Sequence, residues 1–190
     1  MKTACLRLAA ASMVMALTPL GVAGAATVAR LDFDAATADA GHIVHGDVVA
    51  SRSFWSEDGL RIYTDVEVAV RETLKGSVQP TVTVRLLGGE VGEIGQMVPG
   101  APRLREGEEV VLLLQRPAGQ PSSAPEQILG LSQGLYRISR SRPGQPPTAS
   151  QELADLELID VGKQRAVAPA QLPLDQLLQR LRTAAKGGVR

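Results

Sequence analysis

Cysteine, histidine and the aromatic residues are all scarce in this chain of 190 residues. The one cysteine, Cys5, lies in an N-terminal segment that reads as a targeting signal, so residues 26–190 hold no thiol. That excludes a disulfide framework, a thiolate nucleophile and any zinc site built on cysteine. The only histidines are His42 and His45. They form H-x-x-H, but residues three apart on a strand point to opposite faces, and no further His or Cys is present to complete a zinc set. The plain expectation is one solvated histidine and one on a strand face, with no metal and no cofactor. The same scarcity leaves a nucleophilic triad short of a base, and no G-x-S-x-G elbow is present. Aromatics make up 3% of the chain, too few for platforms that stack bases or sugars. An excess of one charge is also missing. Without residues 1–25, which contain Lys2 and Arg7, 18 basic residues face 20 acidic ones, a net charge of −2. There is no basic footprint for nucleic acid and no polybasic stripe for anionic lipid.

What the chain does have begins with an export signal. Lys2 and Arg7 supply the positive start, residues 8–20 form an uncharged apolar run, and Ala23-Gly24-Ala25 gives the small–x–small pattern of a cleavage site after Ala25. The apolar run falls short of the ~20 residues a spanning helix needs. The expectation is therefore an exported protein, periplasmic or extracellular, with no stable membrane insertion after cleavage. Export without disulfides requires a sufficient core, and a domain of ~150 residues buries roughly 68–70% of its unfolded surface.

Hydrophobic periodicity predicts a mainly β domain. Residues 26–41 are polar and alanine-rich and read as a leader. Residues 43–50, IVHGDVVA, read as a strand, and 51–59 as a loop or hairpin connection. Ile62, Thr64, Val66, Val68 and Val70 then alternate with Tyr63, Asp65, Glu67, Ala69 and Arg71, the period of a half-buried antiparallel strand. After Lys75-Gly76 and Pro80 the alternation resumes at Val82, Val84 and Leu86. Residues 88–107 break it, with five glycines and two prolines before Arg103. The unbroken apolar run Val110–Leu114 reads as a strand covered on both faces. Residues 117–127 and 140–150 are Pro/Gly/Ser/Gln-rich and read as flexible, 128–139 as one or two strands broken at Gln133-Gly134, and 152–161 fits helix and strand equally. Leu174, Leu177, Leu178 and Leu181 follow the i, i+3, i+4, i+7 pattern of an amphipathic helix, with Asp175 in its first turn, Arg180, Arg182 and Lys186 near its end, and Gly187 as a stop. The expected architecture is a small antiparallel OB-like barrel of about five to six strands with a C-terminal amphipathic helix. Its expected divisions are a signal over 1–25, a leader over 26–41, a barrel over 42–140, a linker over 141–151 and a strand/helix segment over 152–190.

Ordered motifs add a resemblance. Ile43-Val44-His45-Gly46, Trp55 with Asp58-Gly59, Ile62-Tyr63-Thr64, Glu72-Thr73-Leu74-Lys75-Gly76, Gly88-Gly89-Glu90-Val91-Gly92, Gly100-Ala101-Pro102, Gly107-Glu108-Glu109-Val110-Val111-Leu112 and Gln133-Gly134-Leu135-Tyr136 cover about half the chain. Together they resemble a family of exported bacterial proteins of unknown function, a likeness that implies no activity. Glu72 to Gly76 and Gly107 to Leu113 also resemble the barrel of netrin-like domains and tissue inhibitors of metalloproteinases. That likeness implies an OB fold, but those inhibitors present an N-terminal cysteine to a catalytic zinc, and residues 26–190 have none.

The remaining candidates are weighed by chemistry. Asp65 and Glu67 share a strand face, and Glu57-Asp58 lie in a loop, but carboxylates on an alternating strand without a cleft read as a solvated face. The glycine-rich stretch 88–100 matches neither G-x-G-x-x-G nor a Walker loop, and its glycines read as permitting positive φ in a long connection. Long loops are often functional, so Val91, Ile94, Met97 and Val98 are the first expected partner contacts, either packing under the loop or meeting another protein. Phe54 and Trp55, adjacent aromatics in the expected loop 51–59, are the second, either as an anchor or as a barrel plug. The terminal helix is expected to dock on its own barrel. The expected function is a non-enzymatic β module for binding an unknown exported protein, with accessory or inhibitor of an exported protease as a concrete version. A small-ligand or envelope-glycan domain with a pocket lined by Trp55 or Tyr63 is one alternative, and a hydrolase with an unrecognised site is another.

Overall fold

A computed structural model of the chain describes residues 26–140, 144–153, 156–159 and 171–187, so the signal expected over 1–25 lies outside the described residues. The elements in chain order are β1 (Ala26–Ala29), α1 (Phe33–Asp39), β2 (His42–Trp55), β3 (Ile62–Lys75), β4 (Thr81–Leu87), β5 (Gly89–Val91), β6 (Ile94–Gln96), β7 (Glu109–Gln115), β8 (Gln127–Ile128), a 3-10 turn (Leu131–Gly134), β9 (Leu135–Ser139), β10 (Thr148–Ser150), β11 (Leu156–Ile159), β12 (Gln171–Pro173) and α2 (Leu174–Gly187). The main sheet has the order β12-β10-β9-β7-β2-β3-β4, all its pairs are antiparallel, and with β8 it counts eight strands rather than the five to six expected. Off this path, β8 pairs with β7, and Glu126 just before it meets β4. There Arg85 N–H donates to the Glu126 carbonyl at 2.8 Å, and Glu126 N–H donates to the Thr83 carbonyl at 2.9 Å.

The period-two pattern of β3 puts Ile62, Val66 and Val68 inward, as its sequence predicts. β7 is buried on both faces, the reason its apolar run is unbroken. Val110, Leu112 and Leu114 join Val44, Val66, Val84 and Ile128 in one core, while Val111 and Leu113 join Phe33, Leu177 and Leu181 in the other. The second core exists because α1 and α2 cover that face of the sheet. Fully burying a Leu such as Leu177 contributes about 1.5–3 kcal/mol. Arg182 donates to Glu72 on β3 at 2.6 and 2.8 Å, and the Arg180 guanidinium stands 4.5 Å from the centre of the Phe33 ring.

Four segments depart from expectation. The stretch 26–41, read as a leader, holds β1 and α1. The Asp32 carboxylate caps α1 by accepting from Asp34 N–H and Ala35 N–H at 3.0 Å each. At its other end Lys75 Nζ donates to the carbonyls of Thr37 at 2.8 Å and Ala38 at 2.6 Å, supplying donors that the helix end lacks. Lys75-Gly76 therefore does more than end a strand: Gly76 turns at φ 77°, and a Cβ there would strike the His42 ring and sit 2.8 Å from the Gly41 carbonyl oxygen. The second departure is β2, which continues through the expected loop to Trp55, since Arg52, Ser53, Phe54 and Trp55 each have a partner on β3. The third is 88–107, not a bare connection but a short hairpin, β5–β6, followed by turns. The fourth is the expected linker 141–151, which holds β10, paired with β9 and β12 in the main sheet. The break foreseen at Gln133-Gly134 is the 3-10 turn, and the ambiguous 152–161 contains β11, paired in parallel with β1. The C-terminal helix stands where its periodicity places it.

Candidate functional site

β2 outreaches β7, while β4 flanks the far half of β3 from Ala69 to Tyr63. β7 pairs with β2 only over His42–Asp47, so the far half of the β2–β3 hairpin projects beyond β7. The hairpin β5–β6 is fastened to this arm by side chains. Thr64 Oγ1 donates to the Gly88 carbonyl at 2.7 Å and lies 2.9 Å from Ser53 Oγ. Gly88 N–H donates to the Ile62 carbonyl at 2.8 Å, and Ile62 N–H donates to Gln96 Oε1 at 2.6 Å. Gly89, at φ 137°, presses so closely on these groups that a Cβ would lie 2.5 Å from Ser53 Oγ.

Large apolar side chains gather at this end. Met97 is 74% exposed, Leu60 73%, Ile94 56%, Leu87 40% and Trp55 39%. Of the six expected contact residues, Trp55, Ile94 and Met97 are therefore open to solvent. Val91, Val98 and Phe54 are half-buried. Phe54 and Trp55 are not loop aromatics: as successive strand residues they face opposite sides. Phe54 lies across the ladder from Tyr63, ring centres 6.3 Å apart, with the Arg85 guanidinium 5.1 and 5.7 Å from the two rings. Trp55 lies opposite Ile62. Leu60 and Leu87 were missed by sequence reasoning. The available signal for Leu87 was a second leucine breaking the alternation after Leu86; for Leu60 it was an apolar residue straight after the Asp58-Gly59 turn. Between arm and hairpin lies a cleft of ≈240 Å³ lined by Arg61, Ile62, Leu87, Gly88, Gln96 and Val98. Neither Trp55 nor Tyr63, the expected pocket residues, lines it.

Of the carboxylates weighed for acid–base work, Asp65 and Asp58 are engaged elsewhere, and Glu57 and Glu67 are exposed. Asp65 holds Arg85 with both oxygens at 2.7 Å, while Glu67 stays exposed on the same face. The Asp58 carboxyl is held below its usual range by the Ser56 hydroxyl first and then by Leu60 N–H.

Both histidines find carboxylates, so the expected solvated histidine is corrected. His42 Nδ1 lies 3.1 Å from Glu126 Oε1, which Arg116 also grips. Glu126 is 2% exposed, and its Oε2, like Arg116 Nε, is buried without a hydrogen-bond partner among the described residues. On the opposite face His45 Nε2 lies 2.8 Å from Glu109 Oε1. Arg140 donates to both Glu109 oxygens at 2.7 and 2.8 Å, and Arg71 bridges Glu109 and Asp47. The ionised Glu109 carboxylate only accepts, so the His45 Nε2 that faces it is the donor. The Arg140 hydrogen bonds lead in drawing the Glu109 carboxyl down to about 2, against the opposing effect of burial. Burial pushes the Tyr136 hydroxyl up to about 12. The two histidines point to different partners and do not converge. No group of three or more His, Cys, Asp and Glu suited to a metal occurs among the described residues, and no helix there is long and apolar enough to cross a membrane.

Compared with models of protein families, with curated proteins and with solved structures, the chain matches none.

Proposed function

We propose that this chain is an exported, non-enzymatic OB-like β module that binds another exported protein through the far end of the β2–β3 arm. The carrying observation is that Leu60, Leu87, Ile94 and Met97, with Trp55 on the opposite face of the sheet from Leu87, are large apolar side chains left in water around the end of an arm fastened by hydrogen bonds. Leaving such groups exposed is costly in solubility, and a rigid platform loses little entropy on binding. The barrel reading is supported by a ring of contacts: β7 pairs β2, β2 pairs β3, β3 pairs β4, β4 meets Glu126, and β8 returns to β7 around one apolar core. The export reading rests on the composition of residues 1–25. The role of accessory to, or inhibitor of, an exported protease rests on the resemblance to inhibitor barrels at Glu72 to Gly76 and Gly107 to Leu113.

The test is a crosslinking pull-down from the exported fraction, with the native protein and an Ile94→Ser/Met97→Ser variant as baits. Both side chains are largely in water, so the variant keeps its fold. A partner captured by the native bait and lost with the variant supports the reading. Equal capture by both, or none by either, refutes it. An effect of the native protein on a co-exported protease would support the inhibitor version, and failure to bind or inhibit any such protease would remove it.

A further inference from the structure

We infer that the cleft between the β2–β3 arm and the β5–β6 hairpin receives the C-terminal residue of an extended peptide ending in an apolar side chain. The inference deepens the proposed protein-binding role and rests on it. Its basis is which polar atoms at the cleft are spent and which are left. Arg61 N–H donates to Ser56 Oγ at 3.0 Å, and the Arg61 carbonyl accepts from Ser56 N–H at 2.7 Å. Ile62 donates to Gln96 Oε1 and accepts from Gly88 N–H, and the Gly88 carbonyl accepts from Thr64. The Val98 carbonyl accepts from Ala101 N–H at 3.1 Å. Because Ile62 N–H can only donate, it fixes the Gln96 amide with its oxygen inward, which leaves the Gln96 Nε2 hydrogens for the cleft. The Arg61 guanidinium forms no ion pair or hydrogen bond among the described residues; its field reaches exposed Asp58, whose Oδ1 already accepts from Ser56 Oγ and Leu60 N–H. The side-chain polar groups left over are therefore both donors, and Arg61 is the one charged residue in the lining among the described residues. The complementary group is an anion that only accepts, and a planar carboxylate suits the guanidinium fork.

The rest of the lining sets the remainder of the ligand. Ile62, Leu87 and Val98 are aliphatic and call for an apolar group beside the carboxylate, which disfavours inorganic phosphate or sulfate. A volume of ≈240 Å³ falls below the ~300–1,000 Å³ of pockets for drug-sized ligands and suits one residue. An apolar side chain and a carboxylate on one carbon is the chemistry of a peptide's C-terminal residue, one of the recurring modes of peptide capture. The exposed Ile94 and Met97 nearby then offer apolar contacts to the residues that precede it.

The purified protein would be titrated with acetyl-leucine, acetyl-leucine amide, isovalerate and a pentapeptide ending in leucine as free acid. Binding would be followed by the side-chain amide resonances of Gln96 and by the fluorescence of Trp55, the sole tryptophan, across the ladder from Ile62. With about a dozen non-hydrogen atoms, acetyl-leucine is expected to bind with a Kd of a few millimolar. The amide is expected to bind at least tenfold more weakly and the pentapeptide more tightly than acetyl-leucine. Arg61→Gln should erase the preference for acid over amide while leaving the fold intact, since the Arg61 side chain is exposed, and Arg61→Lys should keep part of it. Equal binding of acid and amide, a preference that survives Arg61→Gln, or Gln96 resonances unmoved by any acid would overturn the inference. Isovalerate binding as tightly as the pentapeptide would also overturn it, in favour of a free small acid. A captured protein partner that 10-fold excess pentapeptide over its Kd fails to displace would sink this inference while leaving the wider surface reading standing.

Discussion

Replacing Glu109 by Gln should weaken the fold in a manner that depends on pH. Glu109 is 8% exposed and accepts from Arg140 twice, while His45 and Arg71 also face it. Its carboxyl sits at about 2 in the folded chain against an ordinary value of 4.5. Since one unit corresponds to about 1.4 kcal/mol, full conversion would give about 3 kcal/mol. Arg140 and Arg71 are themselves about half-exposed, so solvent screening reduces this to about 1–3 kcal/mol. The folded value lies below the unfolded one, so the stabilisation is present above about 4.5 and is lost as pH falls toward 2. Urea unfolding of native protein and Glu109→Gln at pH 7, 4.5 and 3 measures it. The gap between the two should be largest at pH 7 and shrink steadily below 4.5, because there the unfolded chain's carboxyl takes up a proton that the folded one, at about 2, does not. A gap that stayed constant across this range, or that was absent at pH 7, would refute the electrostatic account of this cluster.

Other substitutions probe how the elements are held. Leu177→Ala should cost about 2–5 kcal/mol in chemical denaturation, since a fully buried leucine on α2 would leave a cavity against the sheet. Asp32→Ala removes both capping bonds of α1 and should cost about 1 kcal/mol by the same assay. Gly76→Ala should cost at least about 1–2 kcal/mol, from the left-handed backbone alone, and more if the His42 ring is displaced; amide exchange should show α1 loosening with it, since Lys75 is the adjacent residue.

What could be read from the sequence was whatever one residue's neighbours dictate. Ile62 to Val70 alternate because one face is wet, Val110 to Leu114 do not because both faces are covered, and Leu174 to Leu181 repeat every three or four because a helix lies on the sheet. The helix α1 escaped notice because its inward positions, Phe33, Ala36, Thr37 and Ala40, are mostly small or polar, so their i, i+3, i+4, i+7 spacing does not stand out as an apolar stripe. The far half of β2 was lost because Ser51, Arg52 and Ser53 lie where the arm is wet, so no alternation marks it as strand. The partners of the histidines were invisible for another reason: Glu126 is 84 residues from His42 and Glu109 is 64 from His45, in segments whose own composition says nothing of burial. In the same way, 88–107 offered candidate apolar residues, but only the three-dimensional arrangement separates exposed Ile94 and Met97 from half-buried Val91 and Val98, and adds Leu60 and Leu87 from other elements.

The central claim, that the far end of the β2–β3 arm meets another protein, is tested most directly by site-specific photocrosslinking in the producing cells. One photoreactive residue would replace Met97, and a second, in a separate variant, Glu67, which is exposed on the same arm but away from the apolar set. The account predicts a discrete crosslinked species from position 97 and none from position 67. No adduct from position 97, or equal adducts from both, would contradict it.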